Sequence, residues 1–266
     1  MRRRLLTQTF AALVLCLGAA SSAAAQDFQK SYQLGPNGSI RIENVSGNIQ
    51  IAGYDGSAVT VSAFKEGRDR DQVEVEDLST GDRVALRARY PENCRRCNAS
   101  LRFEVRVPRS SRLNFDKITT ASGDISATDV AGRLKLNTAS GDITLQNAGG
   151  EIEVATASGN LKVTNASGTV SAASASGDVD VEIARLEGTR DLRFSSASGD
   201  VRVRLPNDLD ARVSLATASG NIETDFPIEV KRQEYGPGVT ARGQLGSGAR
   251  SLRVSTASGD VSLKSL

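Results

Sequence analysis

From Gly123 onward, hydrophobic positions fall in period-two pairs that return every nine residues: Gly123, Gly132, Gly141, Gly150, Gly159, Gly168 and Gly177 recur without a slip. Two residues after each stands Ile125, Leu134, Ile143, Ile152, Leu161, Val170 or Val179, and four after stands Ala127, Leu136, Leu145, Val154, Val163, Ala172 or Val181. Between them lies Ser126, Lys135, Thr144, Glu153, Lys162, Ser171 or Asp180. Alternation of apolar and polar positions predicts a short strand with one buried face. Seven residues after each glycine come Val130, Ala139, Ala148, Ala157, Ala166 and Ala175, which predicts a crowded corner with room for one methyl.

Every second unit carries a fuller motif, Thr-Ala-Ser-Gly-Asp or a near copy, at Thr120–Asp124, Thr138–Asp142, Thr156–Asn160 and Ser174–Asp178, so the expected structural repeat is about 18 residues. Later copies at Ser196–Asp200, Thr217–Asn221 and Thr256–Asp260 keep the register with longer corners. Gly38, Gly47 and Gly56, followed by Ile40 and Ile42 and then by Ile49 and Ile51, suggest that the winding begins near residue 38. Between about residues 60 and 115 the alternating runs lengthen (Val73–Val75, Arg83–Arg89, Leu101–Val107), predicting antiparallel strands.

One nine-residue strand buries two or three aliphatic side chains, about 4 to 8 kcal/mol, against an ordering cost of about 1 to 2 kcal/mol per residue. It must therefore stack on copies of itself. The expected fold is all-β: a β-solenoid, a right-handed parallel β-helix of about 18 residues per rung over residues 116–266, preceded by a β-rich region at residues 26–115. The corner glycines Gly123, Gly141, Gly159, Gly177, Gly199, Gly220 and Gly259 supply positive φ, and the Ser and Thr before them can bond the corner backbone.

Arg2 to Arg4, the apolar run Leu5–Ala20 and Ala23-Ala24-Ala25 form the three parts of a secretory signal peptide at residues 1–25, with cleavage expected after Ala25. The run is too short and too interrupted by Thr7, Gln8 and Thr9 to span a bilayer, and no transmembrane segment is expected once the leader is removed. Leu15 before Cys16 argues against lipid attachment, and Arg3-Arg4-Leu5-Leu6 matches a twin-arginine signal only loosely. The protein is expected to be exported, to the periplasm or to the cell surface.

Without the leader's three arginines, the 33 basic residues become 30 against 31 acidic ones. That balance excludes a counterion-driven nucleic-acid binder. The chain has no His and no Trp, which removes Ser-His-Asp and Cys-His relays and ordinary zinc sites. Cys94 and Cys97 remain in an oxidising compartment, within a turn between two strand-like runs, and are expected to form a structural disulfide. A redox Cys-x-x-Cys would open a helix instead.

The Ser-Gly-Asn/Asp-Ile repeats, Ile42-Glu43-Asn44-Val45-Ser46-Gly47-Asn48-Ile49, the following Gly53-Tyr54-Asp55, and Val107-Pro108 before the array resemble the bacterial adhesin family known as domain of unknown function 4097. The resemblance covers nearly the whole chain after the leader. It implies a right-handed β-solenoid of the envelope and no catalytic residues. The Cys94–Cys97 turn departs from that pattern.

Three further readings concern chemistry. Asp124, Asp142 and Asp178, with Asn160 among them, follow equivalent glycines and should form a row; calcium binding in the manner of a β-roll is the alternative to a solvated turn. A polysaccharide-acting enzyme working through paired carboxylates is a second alternative, set against the scarcity of aromatic rings in the array, Phe194, Phe226 and Tyr235. An ice-binding Thr-x-Ser face is the remotest. The favoured expectation is an exported, non-enzymatic adhesin-like or scaffold protein with no cofactor. Its partner would be an envelope protein or glycan, and end-to-end self-association would be possible if the last rung leaves an open edge.

Overall fold

A computed structural model describes residues 27–92, 94, 97–232 and 237–266; the signal-peptide reading, with Cys16, falls outside the described residues. The first third carries β1 (Phe28–Tyr32), β2 (Ser39–Glu43), β3 (Ile49–Tyr54), β4 (Val59–Glu66), β5 (Glu74–Asp77), β6 (Arg83–Arg89) and β7 (Ser100–Pro108). The regular array follows with β8 (Arg112–Ser122), β9 (Ile125–Thr128), β10 (Ala131–Ser140), β11 (Ile143–Gln146), β12 (Gly149–Ser158), β13 (Leu161–Ser176), β14 (Val179–Arg185), β15 (Leu192–Ser198) and β16 (Val201–Leu205). The last part comprises β17 (Ala211–Ser219), β18 (Ile222–Thr224), β19 (Glu229–Arg232), β20 (Val239–Leu245), β21 (Arg250–Ser258) and β22 (Val261–Ser265). All 22 strands belong to one sheet, and among the described residues the only helix is a single 3-10 turn at Arg70–Gln72.

The sheet folds on itself as two parallel ladders that the chain visits in alternation. One runs β6, β2, β8, β10, β12, the second half of β13, β15, β21, β17. The other runs β7, β3, β9, β11, the first half of β13, β14, β16, β22, β18. The aliphatic column expected from the glycine offsets is present: Ile125, Ile143, Leu161 and Val179 pair in sequence, flanked by Ile49 and Phe103 on one side and by Val201, Val261 and Ile222 on the other. All of them are buried, as is the second column with Leu145, Val163 and Val181. Parallel pairing in this register puts like side chains over one another and fills the space between the ladders.

Four features differ from the sequence reading. First, rungs do not stack in chain order. The C-terminal pair β21 and β22 inserts between β15–β16 and β17–β18, so Val261 lies between Val201 and Ile222. The β2–β3 rung likewise lies between β6–β7 and β8–β9. All rungs share one template, so side-chain pattern cannot rank their neighbours; loop length and the end strands do.

Second, residues 60–115 are not simply antiparallel. β5 is antiparallel to β6 and β4 to β7, yet β6 and β7 are themselves rung strands, parallel to β2 and β3. Third, Ala148 and Ala166 fill the inner corner, but Ala139, Ala157 and Ala175 are exposed. Strand alternation turns the preceding Thr inward and the alanine outward. Fourth, the ends of the first ladder and the start of the second are covered by antiparallel strands, whereas β18 pairs only with β22. Antiparallel β4 and β1 cover β7, β5 covers β6, and β20 and β19 cover β17. The outermost strand β19 is fully exposed and carries Glu229, Lys231 and Arg232, the charged kind of edge that discourages strand addition.

The N-terminal edge is fastened by a polar cluster. Lys30 Nζ donates to Asp77 Oδ2 at 2.6 Å, and the Tyr32 hydroxyl donates to the same oxygen at 3.1 Å. Burial pushes the Asp77 carboxyl up, but the hydrogen bonds from Lys30, Ser79 and Tyr32 together outweigh it and hold the group at about 2, below its usual 3.8. Burial pushes the Tyr32 phenol up to about 12. The folded chain therefore binds fewer protons at Asp77 than the unfolded chain does, so this contribution is complete above the unfolded value and disappears as pH falls through the folded one. Asp77→Asn is expected to lower the melting temperature at neutral pH and to flatten its acid dependence between pH 3.8 and about 2, measured by thermal melts across that window.

Candidate functional site

The recurring Thr-Ala-Ser-Gly-Asp corner is the most conspicuous feature of the chain, and its polar atoms are used between rungs. At the corner of Thr156, the threonine hydroxyl donates to the Gly141 carbonyl of the rung before at 3.1 Å. The Gly141 amide donates to the Ser158 carbonyl at 2.9 Å, and the Asp142 amide donates to Asp124 Oδ1 at 2.9 Å. The hydroxyl bond repeats at Thr120, Thr138, Ser174, Ser196, Thr217 and Thr256, each to the glycine of the neighbouring rung. These hydroxyls are buried, so each bond satisfies a donor that would otherwise carry a desolvation penalty.

The aspartate row is a ladder of the same kind. Asn48, Asp124, Asp142, Asn160, Asp178, Asp200 and Asp260 each accept, through one side-chain oxygen, the backbone amide of the equivalent residue on the next rung, at 2.7 to 2.9 Å. The series ends on Asn221, whose amide donates to Asp260. Asn160 continues the row without a break, because its amide oxygen accepts as a carboxylate oxygen does.

Where carboxylates crowd toward the C-terminal end, Arg202 bridges Asp178 at 3.3 Å and Asp200 at 2.6 Å. Among the described residues, no group of three or more His, Cys, Asp or Glu side chains is placed to hold a metal ion. Asp142→Asn is expected to leave the unfolding free energy nearly unchanged, whereas Asp142→Ala should lose about 1 kcal/mol for the orphaned Asn160 amide, as read by urea titration.

The opposite corner was missed by the sequence reading. Asp129, Asn147 and Asn165 adopt left-handed backbone with φ of 56°, 53° and 53°. Asn147 Nδ2 donates to Asp129 Oδ1 at 2.8 Å and Asn165 Nδ2 to Asn147 Oδ1 at 2.7 Å, both across 18 residues. The signal was available in the spacing, since Asn and Asp are the side chains that tolerate this conformation. Arg109 closes the N-terminal end of that row on Asp129 at 3.2 Å and on Asp55 at 2.9 Å. The hydrogen bond from Asn147, with that from Arg109, holds the Asp129 carboxyl below its ordinary value.

Cys94 and Cys97 are joined, with Cα atoms 5.1 Å apart. The carboxylates whose titration is displaced, Asp77, Asp129 and Asp210, all move down, the direction opposite to that of a glycosidase general acid. One surface depression, about 500 Å³, lies between Glu151, Glu153, Thr169, Ser171 and the loop Thr189–Asp191. No helix among the described residues is long and apolar enough to cross a membrane.

The outward faces carry ion pairs in register between rungs. Lys135 reaches Glu153 at 3.1 Å, Lys117 reaches Glu43 at 3.2 Å, and Arg204 reaches both Asp180 and Glu182 at 3.2 Å. Such exposed pairs contribute about 0 to 1 kcal/mol each and chiefly keep like charges apart.

With this geometry in place, the model of the Toastrack DUF4097 family matches residues 30–264. No curated protein matches the chain. Among solved structures, a "putative adhesin" from Bacteroides fragilis aligns over 90% of this chain and 96% of its own, at 13% identity and a TM-score of 0.41. A "putative cell adhesion protein" from Clostridium sporogenes aligns over 90% and 99%, at 12% identity and a TM-score of 0.36.

Proposed function

The chain belongs to the Toastrack DUF4097 family, and from that premise we propose that it is a non-enzymatic, adhesin-like scaffold of the bacterial cell envelope, exported to the periplasm or the cell surface. Its partner is an envelope protein or glycan, held on the outward faces without a cofactor. The winding is a right-handed solenoid of about 18 residues per rung; the partners 18 residues apart support that rung size, and the strong preference of parallel crossovers supports that hand.

One observation carries the reading. The repeated polar motif is engaged rung to rung, so the repeat builds a rigid frame and leaves the outward side chains, which differ from rung to rung, to meet a partner. The charged, antiparallel end strands weigh against end-to-end association as the mode of action.

Capture from a solubilised envelope with the intact protein, run beside a glycan array, tests this. Specific capture of one protein, or retention of one glycan class without cleavage, is expected. Release of shorter oligosaccharides from a purified polymer would replace the proposal with the enzyme reading, and failure of both capture formats would remove it.

A further inference from the structure

We propose that the C-terminal half of the first ladder's outer face binds an acidic polysaccharide through a row of arginines. Arg193 on β15 lies directly opposite Arg253 on β21. Beyond Arg253 comes Ser214 on β17, and beyond Ser214 comes Arg242 on β20. Arg212 sits on β17 two residues from Ser214, diagonal to Arg253. All four are exposed on strand positions beside at least one buried neighbour.

Elsewhere adjacent rungs set acid against base, as at Lys135 with Glu153, and where two bases do face each other, Arg41 opposite Lys117 and Arg204 opposite Lys264, each has a carboxylate partner. Here two guanidinium groups face each other across neighbouring strands, an arrangement that costs stability. Among the described residues, none of the four has a carboxylate within the 4.0 Å that defines an ion pair. Asp191, two residues from Arg193, accepts the Ser251 amide at 2.8 Å, and Glu229, opposite Arg242, pairs with Lys231 at 3.0 Å. A like-charged row kept on a rigid face finds its counter-charge in a ligand.

The surroundings define the ligand's chemistry. Beside the arginine row runs a parallel row of small side chains, Ala173, Ser195, Ser255, Ala216 and Thr240, which makes a shallow ledge crossing the strands. From Arg193 to Arg242 is three strand spacings, about 14 Å, so the ligand is extended and carries repeated negative charge. Arginine forks match carboxylates in a bidentate way, and the serine and threonine hydroxyls of the ledge suit sugar hydroxyls. A single-stranded nucleic acid would stack its bases on aromatic rings, and the ledge has none.

The inference rests on the proposed function and narrows its partner to a polyuronate-like glycan. The probe is polygalacturonate immobilised at low salt, with neutral dextran and single-stranded DNA as comparisons. The variant combines Arg193→Ser, Arg253→Ser and Arg242→Ser; serine already occupies the same row at Ser171 and Ser214, so the frame accepts it.

The wild-type protein should bind polygalacturonate and not dextran. The variant should bind about tenfold more weakly or worse, while melting no lower than the wild type. Absence of binding, undiminished binding by the variant, equal affinity for single-stranded DNA, or a lower melting temperature of the variant would each overturn it. The envelope capture above is independent: if capture succeeds while polygalacturonate fails, the scaffold reading stands and only this inference falls.

Discussion

Gly141→Ala is expected to cost more than about 3 kcal/mol of unfolding free energy, although it adds a single methyl group. The residue sits at φ 149°, and a Cβ built there would lie 2.1 Å from the Gly123 carbonyl oxygen and 2.6 Å from its carbon. That obstacle is backbone, held in turn by the Thr138 hydroxyl, and cannot swing aside as a side chain would. Relief requires the two rungs to separate, which would stretch the bonds from Thr138 to Gly123 and from Gly123 to Ser140 together. Gly188→Ala is the comparison: φ there is 70°, and nothing lies within 4 Å of the added carbon, so only the backbone preference is lost, about 1 to 2 kcal/mol. Denaturant titrations of both variants should show the corner glycine to be the costlier by a clear margin. Equal losses would mean that the glycine column is not packed backbone against backbone.

Phe194→Ala is expected to lose about 3 to 5 kcal/mol. Phe194 is fully buried on β15, between Ala172 on one neighbouring rung and Val254 on the other. The large ring is fitted over a small residue, and truncation would leave a void that neither Ala172 nor a rigid ladder can close. The same titration measures it. A loss under about 1 kcal/mol would show that the rungs collapse freely around the site, contrary to a frame held at every corner.

The sequence exposes the frame unusually well because its physics is local and periodic. Ile125, Ile143, Leu161 and Val179 announce a column, since nothing but stacking can bury them, and the glycine before each marks where that stack leaves no room for a side chain. The same periodicity hides the order of the rungs. Val261 fits on Val201 as well as Ile222 would, so inserting β22 between them leaves no trace in the pattern.

The aspartate row is visible as spacing, but its role is not. Each carboxylate also accepts, through one oxygen, an amide of the next rung, a bond that only register in three dimensions reveals. The arginine row is hidden for a related reason. Arg193 lies far from Arg242 and Arg253 along the chain, and the three meet only because β21 enters out of order and β20 folds back on β17.

Distances between spin labels on the second ladder test the stack and its order at once. Counting paired strands from Ser126 through Thr144, Lys162, Asp180 and Arg202 places Ser262 five steps away and Glu223 six. At about 4.8 Å per step the backbone separations are about 24 Å for Ser126 to Ser262 and about 29 Å for Ser126 to Glu223. Finding the earlier residue, Glu223, farther away than Ser262 by one strand spacing would agree with the stacked and reordered rungs. Finding it nearer, or finding separations unrelated to the number of steps, would contradict them.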